Sequence, residues 1–141
     1  MAISLHVTGG PGEIIIQPRN EKVESIIKSV RTISDTPDHS SARSNDLDMR
    51  VEITGQIIAH GSDNNATLSL ANWSKIPTHS EKAYANVEIS YDYNGTKVRN
   101  ITMSHAFIVS YKESFGNNGT FTLVLRQKKD NLDGYQCAGN F

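Results

Sequence analysis

The chain has little of what covalent or metal staples are made from. Its 141 residues include a single cysteine, Cys137, so an internal disulfide is excluded, a pattern that suits a reducing compartment. Long hydrophobic runs are missing too. The longest, of the kind seen at Ile14-Ile-Ile-Gln17, fall far short of the ~20 apolar residues of a membrane helix, so no membrane span is expected. The start, Met1-Ala-Ile-Ser-Leu-His-Val-Thr-Gly-Gly, lacks a basic segment followed by an apolar one. That reads as synthesis in the cytoplasm without a signal peptide, with any export using another route. Charge of one sign is equally scarce. With Lys+Arg 14 against Asp+Glu 15 the net charge is −1, which argues against a dedicated nucleic-acid site. The small basic cluster Arg126, Lys128, Lys129 reads as a solvated strand end.

Recognisable catalytic patterns are lacking as well. The histidines His6, His39, His60, His79 and His105 are scattered, with no His-x-His and no His-Glu-x-x-His pair to converge on a metal. A Gly-x-Ser-x-Gly elbow is absent, and Cys137 lies in a short tail, a poor place to hold a thiolate against a base. Carboxylate pairs such as Asp46/Asp48 and Glu81/Glu88 have no cleft assigned to them by the pattern. Gly9-Gly-Pro-Gly12 is too short for a phosphate loop and reads as a hairpin turn. The expectation is a protein that is not an enzyme and uses no cofactor and no metal.

What is present is sheet-forming material. Hydrophobic residues make up 37% and charged ones 21%, the balance of one globular domain with a core, here residues 1–141. Short strands are predicted at 3–8 and 13–17. Residues 23–33 carry Val23, Ile26, Ile27, Val30 and Ile33, whose β-branching favours a strand although i, i+3, i+4, i+7 spacing leaves helix open. Residues 34–47 are polar and contain Pro37, predicting a long loop that is either functional, ordered by a partner, or a plain excursion. Met49, Val51, Ile53 and Ile57 alternate with Arg50, Glu52, Thr54 and Gln56, the clearest half-buried strand. Gly61-Ser-Asp-Asn-Asn-Ala66 reads as a turn, and 67–76 as a short helix capped by Asn65 or Thr67, with Leu70 and Trp73 plugging a barrel or sandwich end.

Two hairpins follow. Residues 85–93 and 97–103 flank Asn94-Gly95, a strong hairpin signal, with Val87, Ile89, Tyr91 and Tyr93 on one face. The second joins 105–115 to 120–130 across Gly116-Asn-Asn-Gly119. There Phe121, Leu123 and Leu125 alternate with Thr120, Thr122, Val124 and Arg126, while Phe107, Val109 and Tyr111 oppose Ala106, Ile108, Ser110 and Lys112. The tail, 131–141, loses the alternation. Seven or eight strands and one short helix make this all-β: an antiparallel β-barrel or closed sandwich.

In this order the elements resemble the superfamily of Hcp-like and phage tail-tube proteins, the tube subunits of type VI secretion and contractile tails. The resemblance spans roughly residues 20–130: the strand before the polar loop with Ser41-Ala-Arg-Ser-Asn45, the alternating strand 49–57, the helix with Trp73, and the Asn94-Gly95 hairpin. The closing pair, His105-Ala-Phe-Ile-Val-Ser-Tyr-Lys-Glu-Ser-Phe-Gly116 with Thr120-Phe-Thr-Leu-Val-Leu-Arg-Gln-Lys-Lys129, is its most specific part. The resemblance implies a tail-tube type barrel that self-assembles into hexameric rings stacked as an inner tube. Such a tube would be exported within an injection apparatus or phage particle, with sheath, spike or cargo proteins as further partners. On that footing the loop reaches the next ring through Asp35, Asp38, His39, Arg43, Asn45 and Asp46. The face of Lys112, Thr120, Thr122 and Arg126 lines a lumen or a subunit interface. The alternative from another class is a monomeric β-barrel module that binds a protein or glycan partner through residues 34–47.

Overall fold

The computed structural model describes residues 2–17, 27–35, 48–57, 61–93, 96–116, 119–127 and 136–138. Strand β1 (Ala2–Gly9) turns back into β2 (Ile14–Ile16). The Gly12 N–H donates to the Gly9 carbonyl at 2.9 Å. The turn needs glycine because Gly9 and Gly12 sit at φ 115 and 98, where a side chain is strained. Glycine at position 10 has a different cause: a Cβ there would stand 2.6 Å from the Lys82 carbonyl oxygen. Strands β3 (Ile27–Asp35) and β4 (Asp48–Ile57) form the next pair, and helix α1 (Gly61–Ser74) follows. A 3-10 turn at Glu81–Ala83 leads into β5 (Ala85–Tyr93), β6 (Thr96–Ser114), β7 (Gly119–Gln127) and β8 (Gln136–Ala138).

All ladders are antiparallel, and the order is β2-β1-β5-β6-β7-β4-β3 with β8 added to β6. Among the described residues the fold is therefore antiparallel β-sheet with one α-helix, the class the alternation predicts. Closure is not seen: among the described residues the hydrogen-bonded path ends at β2 and β3, although β3 comes into contact with β1. An open barrel or sandwich describes it.

Strand β6 is the spine. Its N-terminal half pairs with β5 and its C-terminal half with β7, so two half-sheets hang from one 19-residue strand. The sequence pattern predicts two separate strands here. They are continuous because no Gly, Pro, Asn or Asp stands between Met103 and Ala106 to turn the chain back; the irregularity falls instead at His105, a non-glycine residue at φ 55. A bulge between Ile108 and Ser110 then changes the alternation. Ala106 and Ile108 face the core, Phe107 pairs outward with Arg126, and Tyr111 returns to the core side opposite Leu123. Phe107, Val109 and Tyr111 thus do not share one face. A similar bulge between Tyr91 and Asp92 leaves Tyr93 exposed while Val87 and Ile89 are buried.

One core cluster lies between the half-sheets. Leu5, Val7, Val87, Ile89, Ile101 and Met103 come from one side, and Val51, Ile53, Phe121, Leu123 and Leu125 from the other. Strand wins over helix in the described part of 23–33: Ile27 and Val30 reach the core while Ile33 stands opposite Arg50. Helix α1 begins at Gly61, where a turn is predicted, because Ser62, Asp63 and Asn64 are types that open helices as readily as turns. Its buried stripe is Ala66, Thr67, Leu70 and Trp73, and the Trp73 Nε1–H donates to the Ala83 carbonyl at 2.8 Å. The plug expected from Leu70 and Trp73 is present, and α1 packs on β2, β4 and β6. The predicted irregular tail contains β8, which pairs its Cys137 backbone with Ile101.

Candidate assembly surface

Both half-sheets turn their apolar residues to a common core, and their outer faces adjoin along β6, which belongs to both. The first outer face belongs to β6 (second half), β7, β4 and β3, and its residues follow from the ladder register. One row runs Phe107, Arg126, Arg50, Ile33. The next holds Ser110, Val124, Glu52 and Arg31, and a third Lys112, Thr122, Thr54 and Ser29. Ser114, Thr120 and Gln56 complete it. Lys112, Thr120, Thr122 and Arg126, singled out in the sequence, therefore do share this outer face, since period-2 alternation survives intact along β7. The Arg31 Nη1 lies 3.8 Å from the Glu52 Oε2, and the Ser29 and Thr54 hydroxyls are hydrogen-bonded. Sequence reading alone did not pick out Arg31, Arg50 or Phe107; the register adds them, and register is not legible before the bulges are placed.

The loop residues fare differently. Asp35 is not in a loop: it ends β3 and pairs in register with Asp48 at the start of β4. The extended pattern of β3 carries through Ser34 and Asp35 because the opposite strand is there to pair with them. Asp38, His39, Arg43, Asn45 and Asp46 lie outside the described residues.

The second outer face, on β1, β2 and β5, is polar in another way. His6, Glu88 and Thr102 stand in one row, with Ile15 beside His6, and the His6 Nε2 is 3.4 Å from the Glu13 Oε2. Two clefts open here. One of about 540 Å³ is lined by Thr78, His79, Glu81, Tyr84, Asn86 and His105 among others; a second of about 340 Å³ is lined by His6, Thr8, Glu88, Thr102 and Ser104 among others. At the first, the Tyr84 hydroxyl donates to the Thr78 carbonyl at 2.6 Å, and its ring meets Phe107 edge-on at 5.9 Å. Among the described residues no group of three or more His, Cys, Asp or Glu side chains is placed to hold a metal ion, and no helix is long and apolar enough to cross a membrane.

One titratable group is clearly perturbed. Burial, reinforced by the Glu113 carboxylate that accepts its proton at 2.8 Å, holds the Tyr111 hydroxyl well above the usual tyrosine range. The ring stacks on Phe121 at 6.2 Å, and the Thr67 carbonyl lies 3.4 Å from the hydroxyl. A tyrosine that resists ionisation and packs into a core anchors a strand to a helix; it is no nucleophile or base at neutral pH.

No protein-family model matches the sequence, and no curated protein matches it in sequence. Solved structures are similar over nearly the whole chain. Hcp1 from the E. coli EAEC 042 pathovar is 12% identical, with 99% of each chain covered at a TM-score of 0.61. Hcp1 from Flavobacterium johnsoniae is 14% identical, covering 99% of this chain and 97% of that one at a TM-score of 0.58. A chain of the anti-feeding prophage baseplate is 15% identical, covering 97% and 92% at a TM-score of 0.54. Among the described residues the eight strands, the one α-helix packed against them and the whole-length likeness agree: this chain has the fold of the Hcp proteins.

Proposed function

We propose that the chain is the structural subunit of a hollow tube, acting by self-association and without catalysis. The observation that carries this reading is the end-to-end likeness of fold to Hcp1, 99% of both chains. Fold alone does not give function, so the surface must also suit assembly. It does so through an open ladder with strands at both ends and an outer face that mixes arginine with Phe107 and Val124. Exposed strand edges are a liability that a neighbouring subunit removes, and arginine and aromatic residues are enriched where proteins meet. The rings are six-membered and stack head to tail, residues 36–47 with Asp35 make the contact between rings, and Lys112, Thr120, Thr122 and Arg126 line the lumen or the contact between neighbours. The tube is exported as part of an injection apparatus or phage-like particle, with sheath, spike or cargo as further partners.

Light scattering coupled to gel filtration, with negative-stain imaging, tests this. Rings of about six subunits with a central hole are expected, lengthening into tubes at high concentration. A strictly monomeric species at every concentration overturns the reading and returns the chain to the class of monomeric binding modules.

A further inference from the structure

Strand β6 has two edges, and the register fills each of them. At Ala106 it stands opposite Ala85 of β5 and Gln127 of β7, so β5 and β7 lie on opposite edges. At Ile101 it stands opposite Ile89 of β5 and Cys137 of β8. The edge away from β5 therefore carries first β7 and then β8, end to end and running in the same direction. Between the two, Met103, Ser104 and His105 have no ladder partner on that edge among the described residues, and the Gln127 Nε2–H donates there to the Ser104 Oγ at 3.3 Å. The connection is longer than this gap. Residues 128–135 join Gln127, opposite Ala106, to Gln136, opposite Thr102; a strand running straight on would need three residues, and the sequence supplies eight. Connectivity thus does not force β8 onto the edge, and its own pairing must hold it there. That pairing is a ladder of 3 residues, and β6 is its main neighbour among the described elements. Strand β2 is equally short, yet it buries Ile14 and Ile16 and packs against α1. The hydrogen bonds of so short a ladder return little more than the entropy of ordering it costs, and elements held in this way open at low free energy.

We propose that β8 is a releasable latch over a strand-acceptor site: the β6 edge at Asn100–Thr102 takes an extended antiparallel segment, the chain's own C-terminal segment in cis and, when that is released, the C-terminal segment of another copy in trans. Extended segments add to sheet edges through main-chain hydrogen bonds, and exchange of an identical element between copies is a low-cost way to link them. With β8 docked the edge is covered, as an exposed edge needs to be. The proposal goes beyond the tube-subunit reading and does not rest on it, since a monomer carries the same latch.

The test uses the full chain. Gln136→Pro, Cys137→Pro and Ala138→Pro together remove every N–H that β8 brings to the ladder and leave the other strands as they are, with circular dichroism and thermal unfolding to verify the fold. The probe is a fluorescent synthetic peptide of residues 131–141, kept reduced. Saturable binding to the proline variant is expected in fluorescence anisotropy. Binding to the wild type is expected to be weaker by about tenfold or more, because the tethered strand competes at an effective concentration in the millimolar range. A peptide carrying the same three prolines is expected not to bind. Hydrogen exchange on the wild type is the second measurement: the amides of 136–138 are expected to exchange on the order of 100-fold faster than those of Leu123 and Leu125 in β7. Failure of the peptide to bind a folded proline variant, equal binding to variant and wild type, or equal protection of β8 and β7 overturns the proposal. A proline variant that does not fold makes β8 an integral part of the barrel and overturns it too. None of these outcomes bears on whether the wild type forms rings, so the tube reading stands or falls separately.

Discussion

Tyr111 shows how a single side chain can record its place in the fold. Its half-buried hydroxyl sits between Glu113 and the middle turn of α1, so the neutral form is favoured and the proton is held well above the ordinary value of 10.0. The sign of the linkage follows. In the unfolded chain Tyr111 ionises near its ordinary value; in the folded chain it keeps its proton to higher pH. Above that range the unfolded state therefore binds fewer protons than the folded one, and stability falls as pH rises. Below it the group contributes no pH dependence. Urea unfolding across the alkaline range checks this: Tyr111→Phe keeps the stack on Phe121 and is expected to flatten the loss of stability seen in the wild type. An unchanged alkaline slope in Tyr111→Phe would show that the hydroxyl is not desolvated as described.

At the scale of elements, β6 decides the architecture, and its bend is where local preference is overridden. A histidine at φ 55 is held there by its surroundings: β5 grips one half of the strand and β7 the other, while the Gln127 Nε2–H donates to the Ser104 Oγ at 3.3 Å beside the bend. Such a conformation costs on the order of 1–2 kcal/mol for a residue with a Cβ and more for a β-branched one. His105→Gly is thus expected to stay within about 1 kcal/mol of the wild type, relief of strain offsetting the glycine's extra freedom. His105→Val is expected to lose about 2 kcal/mol in denaturant unfolding; a Val variant as stable as the Gly variant would refute the strain argument. The same strand marks the limit of what the pattern reveals. Strands with unbroken alternation, β4 and β7, are legible from Met49, Val51, Ile53 and from Phe121, Leu123, Leu125 alone, and so is the outward set Thr120, Thr122, Arg126. Bulges carry no residue signature at Val109 or Tyr91, so the faces beyond them invert unseen. Helix α1 starts early because capping residues and turn residues are the same types. Strand β8 goes unseen because three residues with no alternation pair only when β6 is already in place.

At the scale of the whole molecule, the sheet and the polar segment between β3 and β4 are expected to do separable work. The ladder of β3 and β4 is complete through the Asp35–Asp48 pair, so its register and its inward residues Val30, Val51 and Ile53 do not depend on what connects the two ends. A two-residue Asn-Gly connection suits an antiparallel pair of this kind, and shortening a connection lowers the entropy of closing it. Replacing residues 36–47 by Asn-Gly is therefore expected to leave thermal unfolding at or slightly above that of the wild type. Cutting further, through Ser34 and Asp35, would remove paired strand and is expected to destabilise. If the contact between rings is made by this segment and the contact within rings by the sheet, the Asn-Gly variant should give single rings in negative stain at concentrations where the wild type gives tubes. Tubes of ordinary length from that variant would place the stacking contact elsewhere on the barrel. Loss of rings along with tubes would show that the segment belongs to the contact between neighbours, and would undo the division of labour between sheet and loop.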